Sequence, residues 1–218
     1  MKGLLIKDLR ILMNQTRFFL IVFGIGLMFL FTNDTPEGAM GYVTILSAML
    51  VLTTMSYDEF EKGMSFIMTL PISRATYVWE KYILGVLIGT VMSIITALVA
   101  FFVFQIRAIP YPTSLYLHCG LLFGVISLLF LAVMIPVQIK FGAEKGKYAK
   151  LVVMVVATGV AFSVVKMLEI LGIDVVGAIE TLLNTSLVLG FCVITAFSMI
   201  LYLVSAVISL KIMKKKEF

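Results

Sequence analysis

The residues of this 218-residue chain that could carry out catalysis lack the partners that catalysis needs. His118 is the only histidine, and no serine or carboxylate motif lies close to it. A serine hydrolase requires an oriented base and donors for the oxyanion, so His118 is predicted to be structural. Cys119 and Cys192 form no CxxC pair and have no cluster of His or Cys nearby, so neither a metal site nor a redox site is expected.

A glycine-containing stretch, GAEKGKY at residues 142–148, matches a phosphate-binding loop only in part. The phosphate-binding pattern is GxxxxGK[ST], but three residues separate Gly142 from Gly146 and Tyr148 follows Lys147. The pattern is therefore rejected. We expect that this chain is not an enzyme and binds no cofactor or metal of its own.

The composition indicates a membrane protein. Apolar residues make up 61% of the chain and charged residues 13%, and the mean hydropathy is +1.13. Soluble domains average about 45–50% apolar and about 25% charged residues. The length leaves no room for a separate soluble domain of ordinary size. We therefore expect an all-α membrane protein with one transmembrane domain over residues 1–218.

Six segments are predicted to span the bilayer, since a spanning helix needs about 20 mainly apolar residues. They cover residues 17–33, 39–57, 78–105, 117–139, 151–172 and 185–210. The first could be a signal peptide, but no small-residue cleavage site follows it, so we expect a retained helix. Pro136 is expected to kink the fourth span. Two GxxxG spacings, Gly85–Gly89 and Gly120–Gly124, would allow helices to approach closely.

The distribution of positive charge predicts the orientation in the membrane. With the N-terminus inside, 15 of the 17 Lys and Arg residues lie on the cytoplasmic side, and only Arg107 and Lys166 lie outside. Both termini are therefore predicted to be cytoplasmic. The positive residues are scattered over four loops and tails, so nucleic-acid binding is not expected. The lysines of the C-terminal tail could contact anionic membrane lipid or serve only as an anchor.

Two further elements are expected outside the spans. Residues 1–16 are predicted to form an amphipathic helix in the membrane interface. Its apolar side is formed by Leu5, Leu9, Leu12 and Met13, and its polar residues are Lys7, Asp8, Arg10 and Asn14, followed by Arg17. Residues 166–184 mix charges with apolar residues at near-helical spacing, and two glycines and Asp174 interrupt them. This segment is predicted to be a re-entrant outer element before the sixth span.

The segment at residues 57–77 is charged and lies between two apolar spans. Ser56 and Glu59 have capping-box spacing, which predicts a helix start. Phe60, Met64, Ile67 and Met68 then share one side of the predicted helix, and Pro71 ends it. Ser73 is expected to cap the next helix. Such a helix could rest on the bilayer, but its acidic and aromatic residues favour docking into the groove of a partner.

The motifs of this segment resemble those of the ABC-2 type transporter permeases. The Asp58–Glu59 pair, the sequence LPISR at residues 70–74 and the V-x-x-K-Y pattern at residues 78–82 carry the resemblance. The predicted layout of the whole chain is similar to that of small bacterial six-span subunits without a fused ATPase. In place of an aromatic residue that many relatives have shortly after the acidic pair, this chain has Gly63-Met64-Ser65-Phe66.

The resemblance implies a permease subunit in the bacterial cytoplasmic membrane that works as an ATP-driven exporter. It implies a second permease, identical or different, and two cytoplasmic ABC ATPase subunits that bind ATP and Mg. The segment 57–77 would then be a coupling helix and loop that contacts an ATPase. The implied coupling residues are Asp58, Glu59, Phe60, Glu61, Lys62, Met64, Phe66, Leu70, Pro71 and Arg74. An amphipathic peptide, a toxin or other apolar cargo is expected, because the spans offer few polar groups.

Two other functions fit a small six-span protein. One is the substrate-binding membrane subunit of a vitamin-uptake transporter, although the predicted outer loops TNDTPEGAM and RAIPYPTS offer few polar groups for such a ligand. The other is a bacteriocin-immunity or scaffold protein without transport activity.

Overall fold

The computed structural model describes residues 1–60, 63–69, 71–170 and 187–216, and the regular structure in these ranges is α-helical. Most of the expected re-entrant element at 166–184 lies outside the described residues, as do Glu61, Lys62 and Leu70. The helices are α1 (Lys2–Asn14), α2 (Thr16–Thr32), α3 (Glu37–Glu59), α4 (Gly63–Thr69), α5 (Arg74–Ile106), α6 (Thr113–Ile170) and α7 (Leu187–Lys215).

The helices confirm a multi-pass membrane protein but account for fewer spans than the sequence predicts. Within the described ranges, four segments are long and apolar enough to cross a membrane: Glu37–Glu59, Arg74–Ile106, Leu115–Gly142 and Gly190–Lys215. Helices α1 and α2 meet at an angle of 63°, and this bent pair would make a fifth. Six spans remain a prediction.

Helix α6 changes direction at Gly142. Its backbone angles there are φ 74° and ψ −175°, and helix continues on both sides. Glycine adopts a positive φ at no steric cost, which explains why the break falls at this residue. Pro136 lies within the helix before the break, without non-helical backbone angles of its own. The expected direction change near the end of the fourth span therefore occurs at Gly142.

Helices α3, α5, α6 and α7 form the central bundle, and small residues bring them close together. A Cβ on Gly89 would lie 2.7 Å from Ser127 Oγ in α6, and one on Gly120 would lie 3.0 Å from Ala97 Cβ in α5. Both GxxxG spacings thus include glycines that pack α5 against α6 within the chain.

The two ends of the bundle are held by different contacts. At the end opposite α4, the Arg107 guanidinium donates hydrogen bonds to the carbonyls of Leu30 (2.6 Å) and Asn33 (2.5 Å). Tyr111 Oη donates to Glu37 Oε1 at 2.6 Å. Burial and this bond to a carboxylate raise the pKa of Tyr111. The other end, here called the α4 end, contains α1, α4 and the C-terminal part of α7.

The packing around Gly85 yields a stability prediction. A Cβ at this position would lie 2.5 Å from Tyr202 Oη and 3.0 Å from Leu131 Cδ1. Tyr202 Oη donates a hydrogen bond to the Tyr82 carbonyl, so it cannot move without losing that bond. Overpacking of this kind costs about 1–3 kcal/mol. Gly85→Ala is expected to lower the thermal unfolding temperature of the purified protein in detergent.

Gly24→Ala is the matched control, because no packing neighbour lies within 4 Å of a Cβ at Gly24 in α2. The control is expected to unfold at the wild-type temperature or slightly above it. Equal unfolding temperatures for the Gly85 variant and the wild type would contradict the close α5–α7 packing.

Candidate functional site

The charged segment between α3 and α5 begins as the last turns of α3. Ser56 Oγ donates to the Leu52 carbonyl at 3.0 Å, and α3 continues to Glu59. The expectation of a new helix capped by Ser56 and Glu59 is therefore wrong. The backbone becomes extended at Phe60 (φ −67°, ψ 141°), and α4 covers only Gly63–Thr69. The spacing of Ser56 and Glu59 fits the interior of a helix equally well, so it does not fix a start.

The end of the segment follows the prediction. Ser73 has an extended backbone (φ −75°, ψ 150°), and its side chain accepts a hydrogen bond from Thr76 N at 3.1 Å. Ser73 thus caps α5, because its oxygen satisfies an amide that has no partner within the helix. Pro71 lies exposed between α4 and this cap.

Helix α4 has one face against the protein and one face outward. Met64 and Ile67 are each only 7% exposed, whereas Phe66 is 67% exposed. Phe60, just before α4, is 70% exposed. Two large aromatic side chains therefore lie open at the α4 end, while the buried residues fix the helix in place. Met64, expected in the contact with a partner, instead packs inside the chain.

A groove separates α4 from α1. Leu4 and Lys7 line it from α1, and Phe66, Ile67 and the following Ile72 line it from the other side. Asp58 also contributes to its wall. The groove is apolar where α4 lines it and charged at Lys7 and Asp58, the part here called its base.

A buried cluster of ion pairs lies at this base, and its centre is Lys81 of α5. Lys81 and Asp8 are fully buried, and Asp58 is 5% exposed. Lys81 Nζ donates a hydrogen bond to Asp8 Oδ2, lies 2.7 Å from Asp58 Oδ2 and donates to Thr54 Oγ1 at 3.4 Å. One ammonium group therefore joins α1 to α3 and α5.

Lys7 and Tyr77 complete the contacts of the two aspartates. Lys7 Nζ donates to Asp58 Oδ1 and lies 3.1 Å from Asp8 Oδ1. Tyr77 Oη donates to Asp58 Oδ2 at 3.2 Å. We call Lys7, Asp8, Asp58, Tyr77, Lys81 and the neighbouring Glu80 the ion cluster. Its members come from three separate parts of the sequence, residues 7–8, 58 and 77–81, so it can form only when α1, α3 and α5 are in contact.

The C-terminal end of α7 is held at the same end of the bundle. Lys216 Nζ donates to Glu59 Oε1 at 3.1 Å and to the Ile139 carbonyl at 3.0 Å. Arg74 donates to the carbonyls of Lys214 (2.9 Å) and Met213 (3.3 Å), groups that have no partner within a helix end. Both ends of the segment that contains α4 are thus attached to neighbouring helices.

The structure divides the described members of the expected coupling residues into two groups. Phe60, Phe66 and Pro71 are exposed. Asp58, Glu59, Met64 and Arg74 contact other parts of the chain. Glu61, Lys62 and Leu70 lie outside the described residues.

Asp8, Tyr77, Glu80 and Lys81 were not predicted from the sequence to be members of one site. Asp8 was expected on the polar side of an interface helix, but it is buried beside Leu4 and Leu12. Leu4, Asp8 and Leu12 are spaced four residues apart and therefore share one helical face. This spacing was the signal in the sequence for the burial of Asp8. Among the described residues, no group of three His, Cys, Asp or Glu side chains is arranged to hold a metal ion.

The burial of Lys81 yields a second prediction. Removal of one partner from a buried ion pair leaves an uncompensated charge and costs about 3–5 kcal/mol. Lys81→Met is therefore expected to lower the unfolding temperature of the protein strongly and to release α1, so that a trypsin site at Lys7 or Arg10 is cut faster.

Asp34→Asn is the control, because Asp34 is paired with Arg107 at 3.4 Å but its side chain is 87% exposed. An exposed pair of this kind contributes at most about 1 kcal/mol. Similar unfolding temperatures and cleavage rates in the two variants would argue against a structural ion cluster.

Comparison with known proteins assigns the family. The model of the family described as "ABC-2 family transporter protein" matches residues 3–214, which is nearly the whole chain. No curated protein and no solved structure matches the chain significantly. The family match covers α1 to α7, including α4 and the ion cluster. The chain therefore belongs to the ABC-2 family of transporter proteins.

Proposed function

We propose that this chain is the permease subunit of an ATP-driven ABC exporter in the bacterial cytoplasmic membrane, and that separate cytoplasmic ATPase subunits drive it. Family membership supports the role of a membrane permease. The observation that carries the rest is a pair of exposed aromatic side chains: Phe66 on α4, whose other face is buried, and Phe60 just before that helix. Exposed aromatic residues on a fixed support are typical of a protein-binding surface.

The proposed orientation places α4 and both termini in the cytoplasm. Six spans with the N-terminus inside put 15 of the 17 Lys and Arg residues on that side. Helix α1 and the C-terminal end of α7 both lie at the α4 end, in keeping with this orientation. A cytoplasmic ATPase would then meet α4 directly.

The proposed mechanism uses α4 as a rigid lever. Closure of the ATPase subunits on ATP would displace α4, and the short segments on either side would pass this movement to α3 and α5. Asp58 at the end of α3 and Lys81 in α5 are 2.7 Å apart, so these two helices would move together. Helix α1 would move with them, because its Asp8 is paired with Lys81. The spans would thus reorient as a group and change the access of the transport pathway.

The proposed contact surface combines the exposed aromatics with charges. Phe60 and Phe66 would enter a cleft of the ATPase, and Glu61 and Lys62 would form ion pairs at its rim. Asp58, Glu59, Met64 and Arg74 would hold the lever, and Leu70 and Pro71 would end it. The ATP and Mg would be bound by the ATPase subunits.

The transporter would also need a second permease, identical or different, within membrane lipid. The proposed cargo is an amphipathic peptide, a toxin or another apolar compound. An apolar groove between α5 and α6, lined by Ile94, Phe101, Tyr116 and Leu121 among others, supports apolar cargo over sugars or ions.

Crosslinking tests the contact with an ATPase. In a chain with Cys119 and Cys192 replaced by alanine, Phe66→Cys is labelled with a photoreactive crosslinker in native membranes. We expect a crosslinked polypeptide that photolabels with azido-ATP and whose peptides contain an ABC ATPase signature. Phe102→Cys is the control, since Phe102 is also exposed (62%) but lies in the spanning helix α5. An ATP-binding product from both positions, or from neither, would refute the proposed contact.

Substitution tests the energetic role of the aromatic pair. Truncation of an aromatic residue at the centre of an interface costs about 2 kcal/mol or more, which is about 30-fold in affinity. Phe66→Ala and Phe60→Ala should weaken binding of the identified ATPase to the permease in nanodiscs by about this factor. Glu61→Lys should also weaken binding while the protein remains inserted. Phe102→Ala should bind the ATPase as the wild type does. Undiminished binding by Phe66→Ala, Phe60→Ala and Glu61→Lys would exclude this surface as the ATPase contact.

A further inference from the structure

Glu80 is the member of the ion cluster that its neighbours do not satisfy. The residue is fully buried at the start of α5. Neither carboxyl oxygen has a hydrogen-bond partner among the described residues. The nearest positive charge is Lys81 Nζ, 3.6 Å from Glu80 Oε2, and that ammonium already contacts Asp8 and Asp58. An ionised carboxylate would therefore be buried here without a donor.

The charges of the cluster do not balance if every acid is ionised. Lys7 and Lys81 supply two positive charges, while Asp8, Asp58 and Glu80 would supply three negative charges. The two aspartates each contact both lysines, so two pairs are complete without Glu80. A buried carboxyl group that has no counter-charge takes up a proton rather than stay ionised.

A proton on Glu80 also has an acceptor. Asp8 Oδ1 is buried and accepts no hydrogen bond from the described residues, although Lys7 Nζ lies 3.1 Å away. The Glu80 and Asp8 carboxyl groups are neighbours, because both lie against the Lys81 ammonium. A protonated carboxyl has one O–H donor, and this donor would satisfy Asp8.

We infer that Glu80 is a proton-binding site: it is a neutral carboxylic acid in the folded protein, and its O–H group donates a hydrogen bond to the Asp8 carboxylate. Among the described residues, the charged group nearest to it is Lys81 of α5. Lys81 in turn contacts Asp8 of α1 and Asp58 of α3, which Lys7 and Tyr77 also contact. With Glu80 neutral, these elements meet with two positive and two negative charges. The inference rests on the cluster alone and does not depend on the proposed transport function.

Infrared spectroscopy of the purified protein at neutral pH tests the protonation state directly. The chain is prepared with ¹³C-labelled glutamate, which shifts the C=O stretch of any protonated glutamic acid. We expect the difference spectrum of wild type and Glu80→Gln to contain one carboxylic-acid band that moves with this label. A spectrum in which only a carboxylate band is lost would overturn the inference, because Glu80 would then be ionised.

Glu80→Asp keeps the test valid if the glutamine variant folds poorly. In this variant the carboxylic-acid band should disappear from the glutamate-labelled sample and appear in an aspartate-labelled sample. Loss of no acid band from the glutamate-labelled sample would refute the inference here as well.

Unfolding temperature gives an independent readout. Glu80→Gln replaces a neutral acid by a neutral amide that can still donate to Asp8, so the unfolding temperature should stay at the wild-type value. Asp8→Asn removes a real negative charge and should lower it. A clear rise in the unfolding temperature of Glu80→Gln would show that the substitution had removed a third, destabilising negative charge. A fall as large as that of Asp8→Asn would show that it had removed a negative charge that stabilises the cluster. Either result would overturn the inference.

Discussion

The α4 end depends on the burial of one lysine ammonium group. Lys81 is fully buried at the start of a spanning helix, so its charge must be compensated from within the protein. Asp8 of α1 and Asp58 of α3 provide this compensation. The need to compensate the charge of Lys81 fixes the position of α1, the end of α3 and the first turns of α5 relative to one another. Helix α4 is placed by these contacts, because it is joined by short segments to two of the three helices.

The length of α5 explains how such charges can lie in a membrane protein. Its 33 residues extend about 50 Å, whereas the hydrocarbon core is about 30 Å thick. The first turns of α5, which contain Tyr77 and Lys81, therefore extend beyond the hydrocarbon core, and the apolar part of α5 follows them. The cluster is protected from water by α1 and α3 rather than by lipid. Leu4 and Leu12 of α1, which are themselves buried, flank Asp8 on the same face of that helix.

Composition and hydropathy predicted the membrane class, the helical fold and most helix positions, because these depend on local sequence. The cap at Ser73 was predicted for the same reason. The start of α4 was misplaced, since Ser56 and Glu59 fit a continuing helix as well as a new one and no breaker residue precedes them. The burial of Asp8 could not be read locally, because it depends on Lys81, 73 residues away. Helical periodicity identifies a face, but the partner of that face decides whether a charge on it is buried.

The sequence order of the cluster also has a consequence for biosynthesis. Asp8 and Asp58 leave the ribosome before Lys81, and a chain folds from its N-terminus as it is made. Until α5 is inserted, the two aspartates have only Lys7 as a counter-charge within the cluster. Lys7 can join α1 to α3 at this stage through Asp58, but one lysine cannot balance both aspartates. Only the arrival of α5 with Lys81 completes the charge balance, so final assembly of the α4 end is a late event in the maturation of the protein.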